Sequence, residues 1–156
     1  MTLDAFFQLG QEDLLLGLEP YQQELIKDLL SKNSYLNAVD LWLQASPSQT
    51  AEFGGDPDKS KSKVYRDKLV EEIEKFVCGT DVSYEEDRNK ILEQKDASQQ
   101  YIIGVLSSAI GSKFGVVGTF IAPVIVILIM SFEKMSIKAW CEYRKTIRNT
   151  GEIHTF

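Results

Sequence analysis

The stretch GVLSSAIGSKFGVVGTFIAPVIVILIMSF, residues 104–132, holds one charged side chain, Lys113, in a chain of 156 residues of which 26% are charged. It is either a membrane segment or the core helix of a small helical protein, and the fold turns on which. Phe114–Phe132 is uncharged throughout. Its length is close to the ~20 residues a helix needs to span the hydrocarbon of a bilayer. Tyr101–Ser112 adds a second uncharged run, too short to span alone. VIVILIM is rich in β-branched residues and could form a buried strand. The length of the run and the helical period of its flanks favour helix.

A second pattern overlies the first. Gly104, Ser108, Gly111, Gly115, Gly118 and Ala122 recur at spacings of 4, 3, 4, 3 and 4. On one continuous helix they would form a groove without side chains, the device by which membrane helices pack closely. The pattern predicts helix packing, and self-assembly into a homo-oligomer, through these six positions. Pro123 lies within the apolar run and predicts a kink or a break.

The residues that follow are basic. Lys134, Lys138, Arg144, Lys145 and Arg148 come after Glu133, with Trp140 and Tyr143 among them. Basic residues and interfacial aromatics flank membrane segments in this way. The expected membrane interface is therefore Lys134, Lys138, Trp140, Tyr143, Arg144 and Lys145, with Met135–Ile147 lying along the surface as an amphipathic helix. Lys113 would snorkel or face a polar interior.

Residues 1–100 differ in character. They carry 11 Lys and Arg against 20 Asp and Glu, whereas residues 101–156 carry 6 against 3. An acidic front repels phosphates and argues against a nucleic-acid partner. It is an acidic helical head, residues 1–97, through which an unidentified protein partner would be contacted. Residues 98–156 form the apolar, small-residue segment and its basic tail. The start, MTLDAFFQLGQEDLLLG, has no basic n-region and does not read as a secretory signal. The head is thus expected in the cytoplasm. The basic flank also asks for the cytoplasmic side, and a single span cannot satisfy both. A hairpin bent near Gly111–Gly115, translocation of the front despite its lack of a signal, or a segment sheltered in a folded state and inserted on a trigger removes the conflict.

Within the head, Thr2 predicts the cap of a short helix that stops at Gly10. Pro20 suits the first turn of a helix to about Lys32, with Tyr21, Leu25, Ile26, Leu29 and Leu30 on one face. Ser34 predicts the cap of a third helix, and residues 46–62 read as a loop. Residues 63–78 form an amphipathic helix with Tyr65, Leu69, Ile73 and Phe76 on its stripe, ended by Gly79. Ser83–Glu86 has the form of a capping box for a polar helix running to Gln100. The fold class is all-α: a small helical bundle with a long glycine-containing apolar helix or hairpin near the C-terminus.

Few residues suggest chemistry. Cys78 and Cys141 have no CxxC spacing and no histidine at ligand distance, and two free thiols in a reducing compartment are expected. No metal or cofactor site is predicted, and the carboxylates read as solvated helix faces. The one histidine, His154, sits in RNTGEIH, residues 148–154. That segment resembles the Arg-polar-x-His pattern of HEPN ribonucleases, all-helical enzymes that pair Arg and His in a dimer cleft to cut RNA. The resemblance implies Arg148 and His154 as catalytic residues. It covers seven residues, and Gly151 falls where the family has continuous helix. The expectation adopted is a non-enzymatic, membrane-associated, self-assembling helical protein, with the layout of small pore-forming or membrane-disrupting effectors such as those used in bacterial defence. Its alternative is a soluble interaction module with 114–132 as its core helix.

Overall fold

A computed structural model describes residues 1–45 and 59–150, with side chains from residue 62 onward in the second segment. Among the described residues the protein is all-α, with no strand. The helices are α1 (Leu3–Phe7), α2 (Gln11–Leu15), α3 (Pro20–Lys32), α4 (Tyr35–Gln44), α5 (Lys59–Val77), α6 (Glu85–Leu92), α7 (Gln99–Phe114), α8 (Gly118–Ser131) and α9 (Ile137–Thr150). A 3-10 turn, Val82–Tyr84, precedes α6.

The helix ends follow side-chain chemistry. The hydroxyls of Thr2 and Ser34 accept from the Ala5 and Asn37 amides, capping α1 and α4 as their sequences predict. Pro20 opens α3 with its φ already set for a helix. Three boundaries differ from expectation. The segment read as a loop to residue 62 is helical from Lys59, and residues 46–58 lie outside the described residues. Ser83 does not cap α6. Its amide and hydroxyl donate instead to the Asp81 carboxylate, which caps the 3-10 turn. The polar helix ends at Leu92, and Ser98 starts a new one, its Oγ accepting from the Tyr101 amide.

The centre of the molecule is α8. Every residue from Phe120 to Met130 is buried, so this helix has no polar face at all. A helix apolar all round must be enclosed, either by protein or by lipid. Here α7, α4, α2 and α5 enclose it. Their inward stripes are Ile102, Leu106, Ile110 and Phe114 on α7, Ala38, Val39 and Leu43 on α4, Leu14 and Leu15 on α2, and Leu69, Ile73 and Phe76 on α5. Side chains from the acidic head and from the apolar segment share this one core.

Candidate functional site: the apolar hairpin and its fastenings

The hairpin is built at Gly115. Helix α7 ends there in the left-handed conformation, φ 67° and ψ 26°, which costs a residue with a Cβ ~1–2 kcal/mol. The Val116 amide turns back to the Gly111 carbonyl at 3.0 Å. A Cβ on Gly111 would stand 2.8 Å from the Val116 carbonyl oxygen, a contact with rigid backbone. The chain leaves this corner as α8, bent 111° from α7. The single continuous helix assumed for the small-residue heptad is thereby corrected: Gly104, Ser108 and Gly111 lie on α7, Gly115 is its cap, and Gly118 and Ala122 lie on α8. Four of the six still meet. Gly104, Ser108, Gly118 and Ala122 line a groove of ≈ 600 Å³ in the angle between α7 and α8, closed on its far side by the α2–α3 connection and Gln22. No side chain stands within 4 Å of where a Cβ on Gly104 would lie.

Pro123 neither breaks α8 nor leaves a gap in its bonding. Proline lacks the amide that would bond the carbonyl four residues before it, that of Thr119. The buried side chain of Gln22 supplies the donor: its Nε2 lies 2.8 Å from the Thr119 oxygen. On the next carbonyl, that of Phe120, the Trp42 indole Nε1 donates at 3.0 Å. Helices α3 and α4 are thus fastened to the first turn of α8 by polar bonds. This changes the inner face of α3. Gln22 and Ile26 point inward, while Tyr21 and Leu25, expected on the buried stripe, are 62% and 50% exposed.

Lys113, the one charge of the apolar stretch, is fastened too. Its Nζ donates to Ser83 Oγ at 2.6 Å, lies 3.7 Å from Asp81 Oδ2, and sits 4.7 Å above the Tyr84 ring. Hydrogen bonds from the Ser83 hydroxyl and amide hold the Asp81 carboxyl below its ordinary pKa of 3.8, and the Lys113 charge adds to this. Burial pushes the Tyr84 hydroxyl well above the usual tyrosine range, helped by its 2.7 Å bond to Glu72. The bond from Lys75 to the same Glu72 raises the lysine pKa.

The basic flank divides in two. Lys134, Lys138, Tyr143 and Lys145 are exposed at the surface of the fold. Trp140 is not interfacial: it is fully buried, stacked on Phe132 at 4.4 Å and tilted against Phe7 at 5.3 Å. Arg144 is not free for lipid either, because its Nε donates to the buried Glu74 carboxylate at 2.8 Å. Arg148 donates to the other Glu74 oxygen. The arginine of the ribonuclease-like segment is therefore an ion-pair partner, while His154 and Gly151 lie outside the described residues. The polar turn that reverses the chain from α8 to α9 holds Glu133 and Lys134 at φ 60° and 61°.

Cys78 and Cys141 are joined in a disulfide, with Cα atoms 5.9 Å apart. The expectation of two free thiols is corrected. Sequence spacing carries no trace of the pair, because the two residues meet only when α9 folds back along α5. Gln22, Trp42 and Glu74 also escaped the sequence reading. For Gln22 a signal existed: a proline inside an apolar helix leaves a carbonyl that a buried donor must satisfy. No cluster of three or more His, Cys, Asp or Glu side chains able to hold a metal occurs among the described residues. No family model, characterised protein or solved structure matches the chain.

Proposed function

We propose that this is a non-enzymatic helical protein that keeps an apolar hairpin sheathed within its own fold and delivers it to a lipid bilayer when the sheath opens, assembling there with further copies. The observation that carries this reading is α8 itself, eleven consecutive buried residues with no polar face, joined to α7 by a glycine corner. No single helix among the described residues is long and apolar enough to cross a membrane. The bent pair α7 and α8 passes by length and composition. Were Gly115 to leave the left-handed region and Val117 the extended one, both for the helical region, Phe114–Phe132 would become one uncharged helix of about 28 Å, matching a hydrocarbon core of about 30 Å. Lys134, Lys138 and Lys145 would then meet the anionic headgroups at its end. The exposed Gly104 and Ser108 supply a face on which another helix can approach closely.

The test is to mix the full chain with dye-loaded vesicles of phosphatidylcholine and phosphatidylglycerol, then wash the pelleted vesicles with alkaline carbonate. Protein retained in the washed pellet, with dye release, under at least one of oxidising and reducing conditions is the expected result. A chain that leaves the vesicles intact and washes off completely, under oxidising and reducing conditions alike, would sink the proposal. That outcome favours the second reading, an interaction module with α8 as its core helix, which the complete burial of Phe120–Met130 also supports. There the exposed Tyr21 and Leu25 of the acidic head are the surface for a protein partner.

A further inference from the structure

The hairpin is restrained by non-covalent bonds at the groove, at Lys113 and along α9, and by one covalent bond. Cys78 directly follows α5, and Cys141 lies in the second turn of α9. The ring closed by their disulfide contains α6, α7 and α8 entire. While it is closed, the C-terminal flank of α8 cannot move away from α5, and α8 cannot leave the core with its basic flank following.

Without the bridge, the hold on α9 consists of reversible contacts. Glu74 binds Arg144 and Arg148. The Asp4 carboxylate accepts from the Ile137 amide at 2.8 Å, at the N-terminal end of α9 where a negative charge is favourable. Trp140 fills the space beside Phe7 and Phe132, but its buried indole N–H has no acceptor among the described residues, so its anchorage carries an uncompensated desolvation cost. Both cysteines are only partly buried, and each is followed by two exposed residues.

We propose that the Cys78–Cys141 bridge is a redox latch on the sheath. A dithiol reductant delivers two electrons and two protons. The S–S bond breaks, two cysteine thiols form, and the dithiol leaves as its own disulfide. Helix α9 then separates from α5, and the end of α8 around Phe132 is uncovered. The proposal names the trigger for the membrane delivery argued above and rests on that reading for its biological purpose, but the opening itself is a property of the chain in water.

The experiment compares the full chain oxidised and after dithiothreitol with iodoacetamide alkylation, by hydrogen exchange in water and then by dye release from the same anionic vesicles. Reduction is expected to speed amide exchange across residues 137–150 by about tenfold or more while α4 and α5 keep their protection. Dye release is expected from the reduced chain alone. Identical exchange in the two states overturns the latch. So does loss of protection by all helices together, which makes the bridge a structural staple. Opening without dye release upholds the latch and removes the membrane reading. Equal dye release from both states removes the latch as the trigger and leaves the membrane reading standing. The double variant Cys78→Ser, Cys141→Ser is expected to behave as the reduced chain. Since reduction of the natural chain reports the same property, a failure of this variant to fold does not decide the matter.

Discussion

Single residues around the corner respond in opposite directions to the same substitution. At Gly111 an added methyl meets the Val116 carbonyl oxygen at 2.8 Å, whereas at Gly104 it meets nothing. Gly104→Ala is therefore expected to raise stability by up to about 1 kcal/mol, the ordinary gain for replacing glycine within a helix. Gly111→Ala is expected to lower it, and urea titration of the two variants distinguishes them. Equal effects of one sign would mean that the backbone does not approach α7 as described. Gln22 offers a sharper check. Gln22→Leu strips the Thr119 carbonyl of its donor in a buried site and is expected to cost about 1–3 kcal/mol. In a Pro123→Ala background the restored amide at 123 serves that carbonyl, and the cost of Gln22→Leu should shrink. Additive losses in the double variant would refute the assignment. Tyr84 is expected to ionise well above the ordinary tyrosine pKa of 10. Its raised pKa favours the neutral form, a contribution complete below pH 10 and lost as pH rises further. Absorbance at the tyrosinate band during alkaline titration reads this directly.

At the scale of elements, much was legible because amphipathic period is a strong signal where one face is buried and the other wet. Helix α5 is the clearest instance: Tyr65, Leu69, Ile73 and Phe76 were expected inside and are. On α3 the same logic misassigned Tyr21 and Leu25, because the inner position at its N-terminal end goes to a polar residue, Gln22, for a reason that lies about a hundred residues away. Hydropathy alone has no access to such a pairing. The small-residue heptad misled in another way. Its spacing assumes one helix, but glycine is equally suited to ending one, and only the left-handed φ at Gly115 separates the two uses. The turn between α8 and α9 was silent in sequence because Glu133 and Lys134 are poor candidates for positive φ. Lys134→Gly relieves that conformation and is expected to raise stability by up to about 1 kcal/mol, measurable as a shift in thermal midpoint. A loss would show that the lysine side chain contributes more than its backbone strain removes.

For the molecule as a whole, two conditions loosen the sheath at different places. Reduction removes the covalent link, across a sequence separation of 63, that holds α9 against α5. Acid acts at the opposite end of the hairpin. Because the Asp81 pKa is depressed in the folded state, its contribution is present above pH 3.8 and is lost as pH falls through the lower folded value. The Lys113 clasp on Asp81 and Ser83 is thus expected to release only in strong acid, with mildly acidic buffer leaving it intact. Hydrogen exchange over residues 105–114 at pH 5 and at pH 3 checks this. Loss of protection already at pH 5 would assign the sensitivity to another group.

The placement of α8 late in the chain has a consequence for how the protein is made. Most of its enclosing surfaces, α2, α4, α5 and α7, are synthesised before it, and only α9 and the bridge come after. A ribosome adding about 5–20 residues per second completes Ser131 to Thr150 in about one to four seconds. The same interval separates the emergence of α8 from that of α9, so an uncharged helix leaves the ribosome after most of its enclosing helices and before the one that seals it. The nascent chain therefore reaches a fork in time: docking before the last helix emerges yields the closed form, and delay presents the same residues to whatever apolar surface is nearest.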